Sequence, residues 1–119
     1  MPKIVKINTG DIDLSGTCLM GHLDADYQLL VEKLGEPHYN GDAYKTDAEW
    51  DIEFEDGTVA TIYNWKDGKN YCGDEGLPIE DISEWHVGGN YSCVEWWIND
   101  YIHNSWPAFD NIRQQAQTD

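Results

Sequence analysis

The sequence predicts an α+β domain, an antiparallel sheet of three to five strands with two main helices packed on one face, and three observations lead there. Two alternating runs meet at Asp56-Gly57, the pattern of a β-hairpin. Apolar residues recur at helical spacing in two stretches, near 24 to 34 and near 92 to 105. Shorter strand-like runs at Lys3 to Ile7 and Glu84 to Val87 supply further partners for the hairpin.

In chain order, Ile4, Val5 and Ile7 mark the opening strand. Thr9 to Leu23 reads as loop, broken by Gly10, Gly16 and Gly21, with a short extended piece through Thr17 to Met20. Asp11, Asp13 and Gly16 begin the spacing of a calcium loop, but the twelve-residue ligand pattern and its terminal Glu are missing. Asp24 to Leu34 is the first helix, capped by Asp24 or Asp26, with Tyr27, Leu30, Val31 and Leu34 on one stripe and Gly35 and Pro37 as its stop. His38 to Lys45 is a polar loop.

The hairpin then runs Ala48 to Glu55, turn, Thr58 to Trp65. A two-residue type I′ turn sets Phe54 opposite Val59, Ile52 opposite Thr61 and Trp50 opposite Tyr63, so one face is apolar and aromatic. Lys66 to Pro78 is a Gly-, Asp- and Asn-rich loop, and Pro78 to Ser83 a single helical turn. In the next strand Trp85 and Val87 share one side, Glu84 and His86 the other, and Gly88-Gly89 stops it. Ser92 to Glu95 spells a capping box for the second helix, whose core stripe is Val94, Trp97, Ile98, Tyr101 and Ile102. Trp96 lies off that stripe and is the candidate for an exposed aromatic contact. Pro107 breaks this helix and begins a last one bearing Phe109, Ile112 and Ala116, after which residues 114 to 119 fray.

Charge is the outlying property. The 119 residues make one domain with 23 acidic side chains against 7 basic ones, a net charge of −16 and a pI near 4.2. Such a surface repels nucleic acid and anionic membrane, and it steers the protein toward strongly basic partners. Neither a secretory leader nor an apolar run long enough for a bilayer is present, so a cytosolic protein is expected. Cys18, Cys72 and Cys93 are odd in number and widely spaced, which fits free thiols.

The charge is densest on the hairpin. Asp47, Glu49, Asp51, Glu53 and Glu55 occupy every second position, a carboxylate about every 6.8 Å along an extended strand. On the expected register they face Thr58, Ala60, Ile62 and Asn64, none of them a cation. Such a row is either the solvated side of a half-buried sheet or an imitation of a nucleic-acid backbone. From Asn70 to Ile112 there is no Lys or Arg, so the row is the densest part of a wider negative surface.

Other chemistry finds little purchase. Pairs of carboxylates suited to glycoside hydrolysis arise by chance in so acidic a chain. His22, His38, His86 and His103 match no zinc spacing with the cysteines, and there is no phosphate loop. Six tryptophans allow an aromatic box, for which a neutral or cationic ligand is the better guess. No catalytic residues, metal or cofactor are expected.

Lys45 to Trp50 (KTDAEW), then Phe54, Asp56 to Tyr63 (DGTVATIY), Trp65-Lys66 and Trp85 to Gly89 (WHVGG) resemble a group of small acidic proteins encoded by bacteriophages and other mobile elements. Leu30-Val31-Glu32 and Gly35-Glu36-Pro37 fit the same group, so the resemblance spans residues 17 to 90. In size and charge these are similar to anti-CRISPR and anti-restriction inhibitors, some of which mimic DNA. The resemblance implies a phage product acting in the bacterial cytosol, and together with the acidity it points to a basic nucleic-acid-binding host complex, a CRISPR effector or a restriction enzyme. The partner-binding residues, Asp47, Glu49, Asp51, Glu53 and Glu55 of the alternating row and the exposed Trp96, are singled out by charge and spacing, and Trp96 lies outside the segment that carries the resemblance. The alternatives are a module that binds a host protein through an aromatic surface, a small-molecule binder and, last, a small hydrolase.

Overall fold

Alternation becomes strand and helical spacing becomes helix in the structure, a computed structural model that describes residues 2–39 and 46–104. In order, the elements are β1 (Ile4–Ile7), β2 (Cys18–Asp24), α1 (Tyr27–Leu34), β3 (His38–Tyr39), β4 (Ala48–Phe54), β5 (Val59–Tyr63), a one-turn α2 (Lys69–Cys72), β6 (Glu84–Gly89) and α3 (Cys93–His103). Single 3-10 turns lie at Gly73–Glu75 and Ile79–Asp81. The six strands form one antiparallel sheet in the order β1-β4-β5-β6-β2, with β3 paired beside β4. The sixth strand is β3, two residues within the expected polar loop.

The buried side of the sheet is built from alternate residues. Ala48, Trp50, Ile52 and Phe54 of β4 are fully buried, as are Ala60 and Ile62 of β5 and Trp85 and Val87 of β6. Leu30 and Leu34 of α1 and Val94, Ile98, Tyr101 and Ile102 of α3 close over them. Two tryptophans join sheet to helix. Their rings meet edge-to-face at 5.4 Å. Trp85 Nε1 donates to Ala25 O at 3.0 Å, just before α1, and Trp50 Nε1 donates to Gly35 O at 2.8 Å, just after it. Both indole donors are thereby satisfied, and α1 is held at its entry and its exit.

The hairpin turn differs from expectation by one residue. Phe54 N donates to Thr58 O at 2.8 Å and Gly57 N to Phe54 O at 2.9 Å, enclosing a three-residue loop, Glu55-Asp56-Gly57. Gly57 takes φ +88°, the left-handed position that follows a type I turn, and Asp56 Oδ1 accepts the Thr58 amide at 2.9 Å. The register therefore sets Trp50 opposite Ile62, Ile52 opposite Ala60 and Asp51 opposite Thr61. A one-residue slip exchanges the faces of a strand, so Val59, Thr61 and Tyr63 lie with Glu49, Asp51 and Glu53, away from the helices.

Three further expectations change. β2 runs on to Asp24, and α1 starts only after Asp26. β6 does not stop at Gly88-Gly89 but passes through both, because these are places of close approach. A Cβ on Gly89 would come within 2.5 Å of Val94 Cγ2, and one on Gly88 within 2.6 Å of Thr61 Oγ1. The capping box at the start of α3 does not form: Ser92 makes no side-chain cap, and Glu95 Oε2 instead accepts the His22 amide of β2 at 3.2 Å. The helix expected after Pro107 falls outside the described residues.

Past β5 the chain is locked by Asn64, which is fully buried. Its Oδ1 accepts the amides of Asp47 and Ala48 at 2.7 and 3.1 Å, and its Nδ2 donates to Asp47 Oδ1 and Asp67 Oδ1 at 2.8 and 3.0 Å. Asn64→Ala leaves those groups buried and unpaired, and is expected to cost about 2–4 kcal/mol in urea unfolding. A loss below about 0.5 kcal/mol would show that the clamp contributes no net stability.

Candidate functional site

The outer face of the sheet, away from the helices, carries a row of rings. Antiparallel pairing sets His22 of β2 opposite His86 of β6, and His86 opposite Tyr63 of β5. Ring centroids are 4.8 Å apart for His22 and His86, 5.6 Å for Tyr63 and His86, and 6.2 Å for Tyr63 and Trp65. Trp65 also stacks on His86 at 6.3 Å with 28° between the planes. The row thus crosses three strands and ends on Trp65, which is 41% exposed.

Two concavities share Trp65. One, about 300 Å³, lies among His22, Asp24, Trp65, Asp67, Glu84 and His86. Its neighbour, about 270 Å³, lies among Cys18, Glu49, Thr61, Tyr63, Trp65 and Gly88. Burial, then the nearby His22, hold His86 below the ordinary imidazole range against a smaller opposing pull from Asp67, so the ring is mainly neutral at pH 7. Tyr63 is raised by burial, then by the neighbouring Glu49 and Cys18.

Glu49 and Asp51 behave as a pair. Burial first, then a hydrogen bond to Asp51 and its charge, push Glu49 up to about 8. Asp51 Oδ1 is buried with no hydrogen-bond donor among the described residues, while its Oδ2 faces His38 Nε2 at 3.7 Å. One proton held between the two carboxyls relieves both the repulsion and the buried lone pairs. Near neutral pH Glu49 is therefore held largely protonated beside Asp51.

No protein-family model matches the chain, and no curated protein matches it significantly.

The six residues singled out in the sequence do not meet as one surface. Asp47 is buried in the Asn64 clamp, with its Oδ2 accepting the Asn70 amide at 3.1 Å. Glu49 and Asp51 are half-buried, and burial and the neighbouring Asp51 hold Glu49 protonated into the neutral range. Glu53 is half-exposed opposite Lys6 of β1. Glu55 is exposed in the turn and accepts the Lys3 amide at 3.1 Å. Trp96 is 63% exposed, as expected, but it stands on α3, the helix layer behind the sheet. The residues that do converge are Tyr63, Trp65, His86, His22 and the flanking Asp24, Asp67 and Glu84. His86 was readable as outward-facing from alternation in β6, whereas the expected register buried Tyr63 with Trp50. Among the described residues no group of three His, Cys, Asp or Glu is placed to hold a metal, and no helix is long and apolar enough to cross a membrane.

The Glu49 pair has a pH signature. Its ordinary value is 4.5 and its folded value about 8, so the folded state keeps a proton that the unfolded chain releases. The associated stability is complete below about pH 4.5 and is lost as the pH climbs to about 8. Glu49→Gln keeps a donor for Asp51 without the ionisation. It is expected to be more stable than the parent at pH 8.5 by about 1–2 kcal/mol, after discounting for partial exposure, and equal to it near pH 4. Parallel stability curves for the two proteins across that range would contradict the shared proton.

Proposed function

We propose that this protein is a non-enzymatic inhibitor that binds the basic nucleic-acid channel of a bacterial defence complex, the CRISPR effector machinery, and keeps target DNA out. The observation that carries this reading is the imbalance of surface charge. Among the described residues the exposed lysines are Lys3, Lys66 and Lys69, whereas carboxylates are exposed on every part of the fold, from Asp11 and Asp13 through Glu32 and Glu36 to Asp74, Glu75, Glu80 and Asp81. Charge of one sign on so small a body accelerates encounter with a basic channel, and each carboxylate that meets a Lys or Arg takes the place of a phosphate.

Of the hairpin row, Glu53 and Glu55 are the members that reach solvent outside the buried clamp and the Glu49–Asp51 pair. Asp47 is committed to the clamp, and Glu49 with Asp51 to their common proton. The mimicry is accordingly distributed over the surface and does not reside in a strand-long array. The resemblance to small phage proteins supports the choice of partner.

The test is DNA binding by purified CRISPR effector complexes, with and without this protein, at 50 and 300 mM salt. At least one effector is expected to lose DNA binding, and the inhibition should weaken about tenfold or more at the higher salt. Glu53→Lys with Glu55→Lys is expected to weaken it by a further factor of about ten. Inhibition insensitive to salt and to these reversals would overturn the charge mechanism, and a complete panel that binds DNA normally would overturn the reading.

A further inference from the structure

Two histidines of the outer face stand side by side because of how β2 and β6 pair. His22 lies directly opposite His86 in the register. The amide of His22 turns away from β6 and donates to Glu95 Oε2 of α3 at 3.2 Å, and its carbonyl turns the same way and accepts from Asn99 Nδ2 at 3.1 Å. The two residues are therefore a non-hydrogen-bonded pair, the kind whose Cα atoms lie about 4.5 Å apart and whose side chains approach most closely. Their ring centroids are 4.8 Å apart, with 80° between the planes.

The nitrogens of these rings have no task within the fold. Among the described residues neither imidazole takes part in a hydrogen bond. The rings are nonetheless held in position. Both backbone groups of His22 are pinned by α3, and the His86 ring is flanked by Tyr63 at 5.6 Å and Trp65 at 6.3 Å. Nitrogen donors fixed in this way, with their lone pairs unspent, are what a metal site needs before the metal arrives.

The spacing fits one. Zinc bonds imidazole nitrogen at about 2.1 Å and that nitrogen lies about 1.1 Å from the ring centre, so two rings about 90–110° apart around one ion have centroids about 4.5–5.3 Å apart. The observed 4.8 Å falls inside that interval. Both rings line the same cleft of about 300 Å³, which has room for an ion and its waters. No third protein ligand converges on the pair among the described residues, so the other positions belong to water. Imidazole donors suit zinc, nickel and copper, whereas magnesium and calcium take oxygen. The net charge of −16 attracts every cation to the surface, and the histidine pair selects among them.

We propose that His22 and His86 form a two-histidine site for a divalent transition-metal ion of the zinc class. The ion ties the edge strand β2 to β6. The site goes beyond the inhibitor reading, and neither depends on the other.

The experiment titrates the full chain with Zn²⁺ at neutral pH under reducing conditions, following the ring nitrogens of the histidines by NMR, with Mg²⁺ as the comparison ion. His22 and His86 are expected to shift together, with one dissociation constant, and equal Mg²⁺ to leave both where they were. His22→Gln and, separately, His86→Gln should each weaken the Zn²⁺ response of the remaining histidine at least about tenfold, whereas His38→Gln, on β3, should change the response of the pair less than about twofold. His22 is exposed, so its variant stays informative if the His86 variant is poorly folded. Zinc captured by the exposed thiols of Cys18, Cys72 and Cys93 alone would leave both ring signals in place and would overturn the assignment. Two different dissociation constants for the two rings, or equal shifts with Mg²⁺, would overturn it as well.

Discussion

The register of β4 against β5 is the constraint on which the rest depends. In a strand every side chain belongs to one face or the other, and a shift of one residue exchanges all of them. The three-residue loop closed by Gly57 sends Ile62 and Ala60 into the core with Trp50 and Ile52, and turns Tyr63 and Thr61 outward. Trp50 can then meet Trp85 across the sheet, and the two indoles can hold the ends of α1. The same shift delivers Tyr63 to His86 and carries Trp65 to the rim of the outer clefts. Core and candidate site are two consequences of one turn.

The outer face shows how an acidic chain accommodates its own charge. Repulsion among closely spaced carboxylates is relieved by protonation, by hydrogen bonding or by distance. Glu49 and Asp51 use a proton, and Asp47 uses Asn64 and the Asn70 amide. Asp24 and Glu84 lie opposite each other on β2 and β6, both exposed to solvent. What looked in the sequence like one periodic array is therefore three different electrostatic situations: Asp47 is clamped, Glu49 is paired with Asp51, and Glu53 and Glu55 reach solvent.

Much of the fold was readable beforehand, because it follows from periodicity and punctuation. The apolar stripe of α3, the alternation of β4 and the outward position of His86 all follow from spacing alone. Register was not readable, since Asp-Gly satisfies a two-residue turn and also the last two positions of a three-residue loop. Nor was the continuation of β6 through Gly88-Gly89. Glycine is a stop signal in isolation, yet it is required where Val94 and Thr61 press against the strand. Glu95 could not be assigned from the chain, because a capping partner and the His22 amide compete for the same carboxylate and the amide lies 73 residues away. The site was hidden for the same reason, as its rings come from three strands that only tertiary pairing brings side by side.

The most direct measurement of this account is a set of NOE contacts from the Tyr63 ring in the free protein. The outward register predicts cross-peaks from Tyr63 to the His86 and Trp65 rings, together with Ile62 to Trp50. Cross-peaks from Tyr63 to Trp50, with none to His86, would place it in the core, and would remove both the row of rings and the cleft built beside it.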